Sequence, residues 1–435
     1  MIDQLLKWMD SSTCNLMAVD TIRRELDKAG FEELKPENRW ELKPSGRYYM
    51  TKNGSAIFAF VAGTEPPSGA GFNIIASHSD SPTFKVKPNA EIYTEGIVKL
   101  NVEKYGGGIL YTWFDRPLSM SGRVALRSDN PLQPEIRLVD LRKPVCTIPH
   151  LAIHFNRAVN EGNPLSVQTD MLPVLGVYSK DDYEALQKAG GVVKSLLGAE
   201  LGVEPDRILD YELNLYPTEP ASRCGVHGEL FQSGRIDDLS MAFASLRALL
   251  DACGTDTAAT RVMAVFDNEE TGSGTKQGAH SPVLANMLER VTTALTPKGD
   301  REDFHCAISR SFMISADDAH AWHPNYSSKY DPTNHPQICC GPVVKINANC
   351  KYMTDADGSA VFRNLCEKAG VPCQYFVNHS DVAGGSTLGN ILTGQLDIRG
   401  VDVGNPIWAM HSARETASCA DHEWMTAAMK AFFSL

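Results

Sequence analysis

The chain has 435 residues, 43% of them apolar and 22% charged, a globular balance that excludes a wholly disordered or fibrous protein. Lys+Arg total 41 against 53 Asp+Glu, a formal charge of −12 that argues against nucleic-acid or anionic-membrane partners, since both need basic patches. No apolar run approaches the roughly 18 residues of a membrane span, the first residues lack a signal-peptide pattern, and the cysteines lack paired spacing, so a cytoplasmic protein is expected.

In chain order, mixed apolar and polar residues predict a helix from Met17 to Lys28, stopped at Gly30. Extended runs follow at Gly46 to Thr51 and Ser55 to Val61. After a Pro/Gly cluster, Phe72 to Ser77 reads as a buried strand, with His78 and Asp80 directly behind it. From Glu91 the character changes to alternating runs (Ile97 to Val102, Gly122 to Leu126), a glycine triplet, Pro-rich connections and one helix from Lys180 to Leu197. Beyond Gly234, helices are expected at Asp237 to Cys253, Pro282 to Ala294, Asp355 to Ala369 and Asp421 to Phe432. Strands are expected at Arg261 to Phe266, Ser311 to Ser315, Val343 to Ile346, Gln374 to Val377 and Gly400 to Val403. This alternation predicts an α/β fold with a mostly parallel central sheet flanked by helices. Residues 1–90 and 230–435 would form it, and 91–229 would be a mainly β domain inserted into it.

Ligands of open α/β sheets collect at the carboxyl ends of the strands. There the sequence repeatedly places acid/base and metal-type residues: His78 and Asp80, then Asp267, Glu269 and Glu270, then Asp317 and Asp318, and finally His411. Asp237 and Asp238 open a helix, where the backbone dipole favours carboxylates. Each has a plain structural reading, as a cap, a solvated acid or a hydrogen-bonded histidine. Their coincidence on one sheet edge favours chemistry. Imidazole nitrogen with carboxylate oxygen and no thiolate suits Zn2+, Mn2+ or Co2+, and a set this acidic can hold two ions. In His78-Ser-Asp80, Asp80 is positioned to accept the second imidazole N–H, and of Glu269 and Glu270 one could bind metal while the other acts as base.

Five segments carry a resemblance: His78 to Pro82, Gly234 to Leu239, Asp267 to Gly272, Ser315 to Asn325, and Met410 to Glu415. Together, in this order and spacing, they resemble the M18 metallopeptidases, the aspartyl aminopeptidase family. The resemblance implies a di-metal aminopeptidase fold whose inserted segment is a dimerisation domain. It implies two divalent ions, Zn2+ first, bridged by Asp237, with His78 and Asp317 completing one and Glu270 and His411 the other. Glu269 matches the general base and Asp80 the partner of the first histidine. His320, Lys345 and Tyr352 match positions near the substrate, and His154 one presented to a neighbouring subunit. Peptides would be the substrates, and the assembly a homo-oligomer, a dodecamer built from dimers.

The stretch from Ser11 to Leu16 departs from the family's usual Ser-Pro-Thr-Pro-Phe-His, and Asp318 and Trp322 stand where apolar or small residues are common. The glycines at 272, 274 and 278 miss the dinucleotide fingerprint by one residue, and His422-Glu423 lacks the second histidine of a zincin motif. Cys339 and Cys340 have no constellation suggesting a nucleophile. The expected activity is removal of an N-terminal Asp or Glu from peptides. The alternatives are a broader aminopeptidase for neutral N-termini and a non-catalytic scaffold.

Overall fold

The computed structural model describes residues 1–435, which divide into two compact units. The first comprises residues 1–80, 221–410 and 415–435; the second comprises 81–220 and 411–414.

The first unit is built on a nine-stranded sheet. From edge to edge its strands are Glu32–Glu33, Arg47–Lys52, Ala56–Val61, Thr260–Phe266, Phe72–His78, Phe312–Ala316, Arg399–Gly404, Val343–Ile346 and Gln374–Val377. The four central strands from Thr260–Phe266 to Arg399–Gly404 run parallel, and antiparallel neighbours flank them. Side chains alternate across the sheet as the two-residue strand period requires. Ile57, Ala59, Ile75, Met263 and Val265 face a layer of helices: Ile2–Ser11, Asn15–Lys28, Ile236–Ala252, Ala356–Ala369 and Cys419–Phe433. Phe58, Phe60, Ile74, Ala76, Val262 and Ala264 face Val283–Leu295 and Arg301–Ser309 on the other side. A sheet covered on both faces explains why its strands read as nearly unbroken apolar runs.

The register decides where the chemistry gathers. Phe266 lies opposite His78, and Ser315 opposite Ala76, so the carboxyl ends of three adjacent parallel strands finish side by side. A second, five-stranded sheet supports that edge, ordered Ser222–Cys224, Leu230–Ser233, Glu415–Ser418, Pro406–Trp408 and Ala319–His320.

The second unit contains a six-stranded, wholly antiparallel sheet, ordered Glu135–Asp140, Leu118–Leu126, Ile208–Pro217, Thr83–Thr94, Ile97–Tyr105 and Val174–Val177. Its own core contains Phe84, Leu100, Trp113, Met120, Leu197 and Leu215.

Three local expectations change. The single helix from Lys180 to Leu197 is two, Lys180–Lys188 and Val192–Leu201, because Gly190 and Gly191 take φ of +108° and +99°. Helices Ile2–Ser11 and Arg301–Ser309 are additional, the latter closed by a capping box between Asp300 and Asp303. Asp237 and Asp238 stand at the start of Ile236–Ala252 but not in helical backbone, with ψ of 109° and 20°. The peptide joining them is cis.

Candidate metal centre

His78 ends its strand and is 1% exposed. Its backbone N–H donates to Asp238 Oδ2 at 3.0 Å, which ties the strand end to the start of helix Ile236–Ala252. Its Nδ1 lies 3.1 Å from the Asp80 main-chain oxygen and 3.5 Å from Asp80 Oδ1. A carbonyl oxygen only accepts, so Nδ1 carries a proton and Nε2 is the nitrogen left to bind a cation in place of its own proton. Nε2 faces Asp237 Oδ1 at 3.4 Å.

Ligand atoms of His78, Asp237, Asp238 and Asp317 all lie within 4.8 Å of one another, and all four residues are buried. A second group of the same kind joins His78 to Glu269 and Glu270. Asp237 is steadied by its backbone N–H donating to Glu415 Oε2 at 3.1 Å. Asp317 leaves the strand Phe312–Ala316 with its N–H on the Val403 oxygen. Asp318 accepts from Ser240 Oγ at 2.8 Å and from Asn405 N–H at 3.3 Å, so this unusual carboxylate is a structural acceptor beside the cluster.

The turn carrying the two glutamates, Glu269–Thr271, is held by Asp80. Its two carboxylate oxygens accept the backbone N–H groups of Glu269 and Glu270 at 3.1 and 3.2 Å. The expected partnership of Asp80 with His78 is therefore made chiefly through the main-chain oxygen, while the carboxylate fixes the turn. Behind it, Asp267 Oδ1 accepts Asn268 N–H at 2.8 Å and Asn15 Nδ2–H at 2.9 Å.

The electrostatics follow from crowding. Burial, then the charges of Asp317 and others, drives Asp238 well above the ordinary carboxylate range, against the opposing pull of His78. Burial also raises Asp317, with Lys345 opposing and Asp237 reinforcing, and burial followed by the Asp237 charge lifts Asp318 well up. Burial and the charges of Asp317, Asp80 and Asp237 push Glu269 to about 8 although His78 pulls down, and burial with Asp80 brings Asp267 to about 6. Burial would lower His78, but Asp238, Asp237 and Asp80 carry it well above 6.5. Carboxylates packed this densely lack countercharge, and one imidazole nitrogen with several carboxylate oxygens is a donor set for hard or borderline divalent cations. The residues fit a metal.

Lys345 is 3% exposed and donates to the Asp318 main-chain oxygen at 2.9 Å, with Asp317 Oδ1 at 3.6 Å. Burial lowers its pKa, but Asp317 and neighbouring groups more than offset this, and the ammonium is held charged. Tyr352 is buried, its ring 5.6 Å from Lys345 Nζ. His320 is exposed on Ala319–His320, edge-on to Phe376 at 5.7 Å. In the second unit, His411 Nδ1 lies 3.2 Å from the Gly107 carbonyl, which likewise leaves the lone pair on Nε2. His154 lies there too, on the exposed turn Ile153–Phe155. Sequence reasoning named Asp238 without a role, although its adjacency to Asp237 was the available signal. It missed Asn15, 252 positions from its partner.

The family model described as "Aminopeptidase I zinc metalloprotease (M18)" matches residues 8–433. The chain is 48% identical over 438 residues to the "Probable M18 family aminopeptidase 2" of Clostridium novyi, covering 100% of this chain and 98% of that one. The protein of the same name from Clostridium acetobutylicum is 44% identical, with 99% and 98% covered. Among solved structures, the chain in the Ape4 and Nbr1 complex superposes with a TM-score of 0.94 at 34% identity, covering 99% of this chain and 85% of that one. The mApe1 dodecamer from S. cerevisiae gives 0.86 at 26% identity, covering 99% and 95%.

Proposed function

Because the chain belongs to the M18 metallopeptidase family and is a metalloaminopeptidase, we propose that the buried cluster is its hydrolytic centre and that it removes N-terminal Asp or Glu from peptides. The observation that carries this reading is two groups of ligand atoms sharing His78, one with Asp237 and Asp317 and one with Glu269 and Glu270, where adjacent strands end and helix Ile236–Ala252 begins. His78 and Asp317 would hold one divalent ion and Glu270 and His411 a second, with Asp237 available to both. Zn2+ is the first candidate, and Co2+ and Mn2+ are compatible with the same donors. When bound, such ions polarise the scissile carbonyl and make water more acidic.

The protein's own groups supply the rest. Glu269 takes the proton of the attacking water and returns it to the leaving amine. Its turn, fixed by two backbone N–H bonds to the Asp80 carboxylate, supports that assignment by holding Glu269 beside the cluster. Asp80 holds the turn and the His78 ring. His320, beside the cluster in sequence and exposed, donates to the oxygen that gains charge. Lys345 has three donors and spends one on Asp318 O, which leaves capacity for an acidic first side chain, and Tyr352 packs beside it.

One observation favours a second reading, a broader aminopeptidase for neutral N-termini: the Lys345 ammonium is already held between Asp317 and Asp318. A panel of Asp-, Glu-, Ala- and Leu-p-nitroanilides with a chelator control decides. The proposal expects cleavage of the acidic pair in preference, loss with chelator and recovery with zinc. Preferential cleavage of the neutral pair selects the second reading, and the absence of chelator-sensitive hydrolysis overturns both.

The chain also works as a homo-oligomer, a dodecamer built from dimers, with His154 offered to a neighbouring copy. Support comes from the exposed apolar side chains around it, Leu151 at 57%, Ile153 at 53% and Phe155 at 80%. A cytoplasmic location agrees with eleven cysteines that are all free.

A further inference from the structure

We infer that Asn15 is a positioning residue for catalysis: its carboxamide fixes Asp267 and, through it, the turn that presents Glu269. The inference rests on the reading of Glu269 as the base. Asn15 opens the helix Asn15–Lys28, whose Leu16, Val19, Ile22 and Leu26 are buried in the core of the first unit. Its Oδ1 accepts the Leu16 N–H at 3.0 Å, so its amino group is the end that points away, and that group donates to Asp267 Oδ1 at 2.9 Å. The amide cannot turn over without losing both bonds.

Asp267 is 2% exposed and follows the central strand Thr260–Phe266. The oxygen that receives Asn15 also receives the Asn268 N–H, and Asn268 is the left-handed residue (φ +63°) from which the Glu269 turn springs. Asn268 Oδ1 in turn accepts from Thr275 Oγ1 and Gln277 Nε2, each at 2.8 Å. The turn is thus clamped by Asp80 from one strand end and by Asp267 from the other. Asn15 is a side-chain donor to Asp267 from outside the segment Ser55 to Gln277 and couples the amino-terminal helix to the site.

The test compares N15D and N15L with the unaltered protein, all loaded with zinc. N15D sets two carboxylates against each other, and N15L deletes the donor. The expected result is at least a tenfold lower kcat for both variants, a KM within twofold and unchanged metal content. Hydrogen exchange at the Glu269 and Glu270 amides should quicken. Unchanged kcat or unchanged exchange in N15D and N15L below their melting temperatures overturns the inference. If the unaltered protein shows no metal-dependent turnover, the Glu269 reading has failed instead, and amide exchange alone still decides whether Asn15 fixes the turn.

Discussion

The clamp on the Glu269 turn is most directly stressed by Asp80→Asn. The substitution keeps the shape of the side chain and the main-chain oxygen that anchors His78 Nδ1. What changes is acceptor capacity: the carboxylate receives two backbone N–H groups, from Glu269 and Glu270, on separate oxygens. A carboxamide has one oxygen, and its amino group must face the second N–H, donor against donor. One N–H at the turn is then left unsatisfied, at a cost of about 1–3 kcal/mol. If the productive placement of Glu269 bears that cost, kcat falls roughly 5- to 150-fold at 1.4 kcal/mol per tenfold. Substrate binding does not use these groups, so KM should stay within about twofold, and metal content should not change. Steady-state kinetics at saturating zinc, with metal analysis on the same samples, provide the reading. A kcat within threefold of the unaltered protein would refute the clamp, and lost metal would show that Asp80 acts through His78 instead.

Two further outcomes test other parts of the fold and site. His422 is fully buried, with both ring nitrogens lacking a hydrogen-bond partner, and burial lowers its pKa to about 3. The folded state therefore binds fewer protons than the unfolded chain between about pH 3 and 6.5. Stability is complete above the unfolded pKa and is lost as pH falls, by up to about 4–5 kcal/mol at 1.36 kcal/mol per pH unit. His422→Leu should flatten that acid limb in denaturant titrations at pH 7 and pH 4, and an unchanged difference between the two pH values would exclude His422 as its source. Lys345→Ala should raise KM for Asp- and Glu-anilides roughly 10- to 100-fold, the scale of a charge-assisted hydrogen bond, and much less for Ala- and Leu-anilides. An equal loss on all four would make Lys345 only the countercharge of Asp317.

The sheet was legible because its strands are apolar on both faces, as in Arg261 to Phe266, and because the helices covering it carry apolar stripes such as Leu239, Phe243, Leu246 and Leu249. Most of the metal-type residues were legible for a related reason: in a parallel sheet the residue after each strand end faces the same edge, so His78 and Asp317 could be found by position. Less legible was anything set by long-range hydrogen bonding. Nothing local to Asp80 says that its carboxylate holds the Glu269 turn and that its main-chain oxygen holds His78. Nor does Ser11 to Leu16 announce a donor to Asp267. The helix Lys180 to Leu197 was misjudged because its apolar spacing continues through Gly190 and Gly191, where positive φ interrupts it. Ile2–Ser11 escaped notice because no side chain caps its start.

Metal count and turnover measured together on Glu269→Gln test the core of the account most directly. The account predicts two zinc ions per chain, as in the unaltered protein, with kcat lower by roughly 100- to 10,000-fold, the range set by loss of a general base. Turnover retained with both ions in place would contradict it.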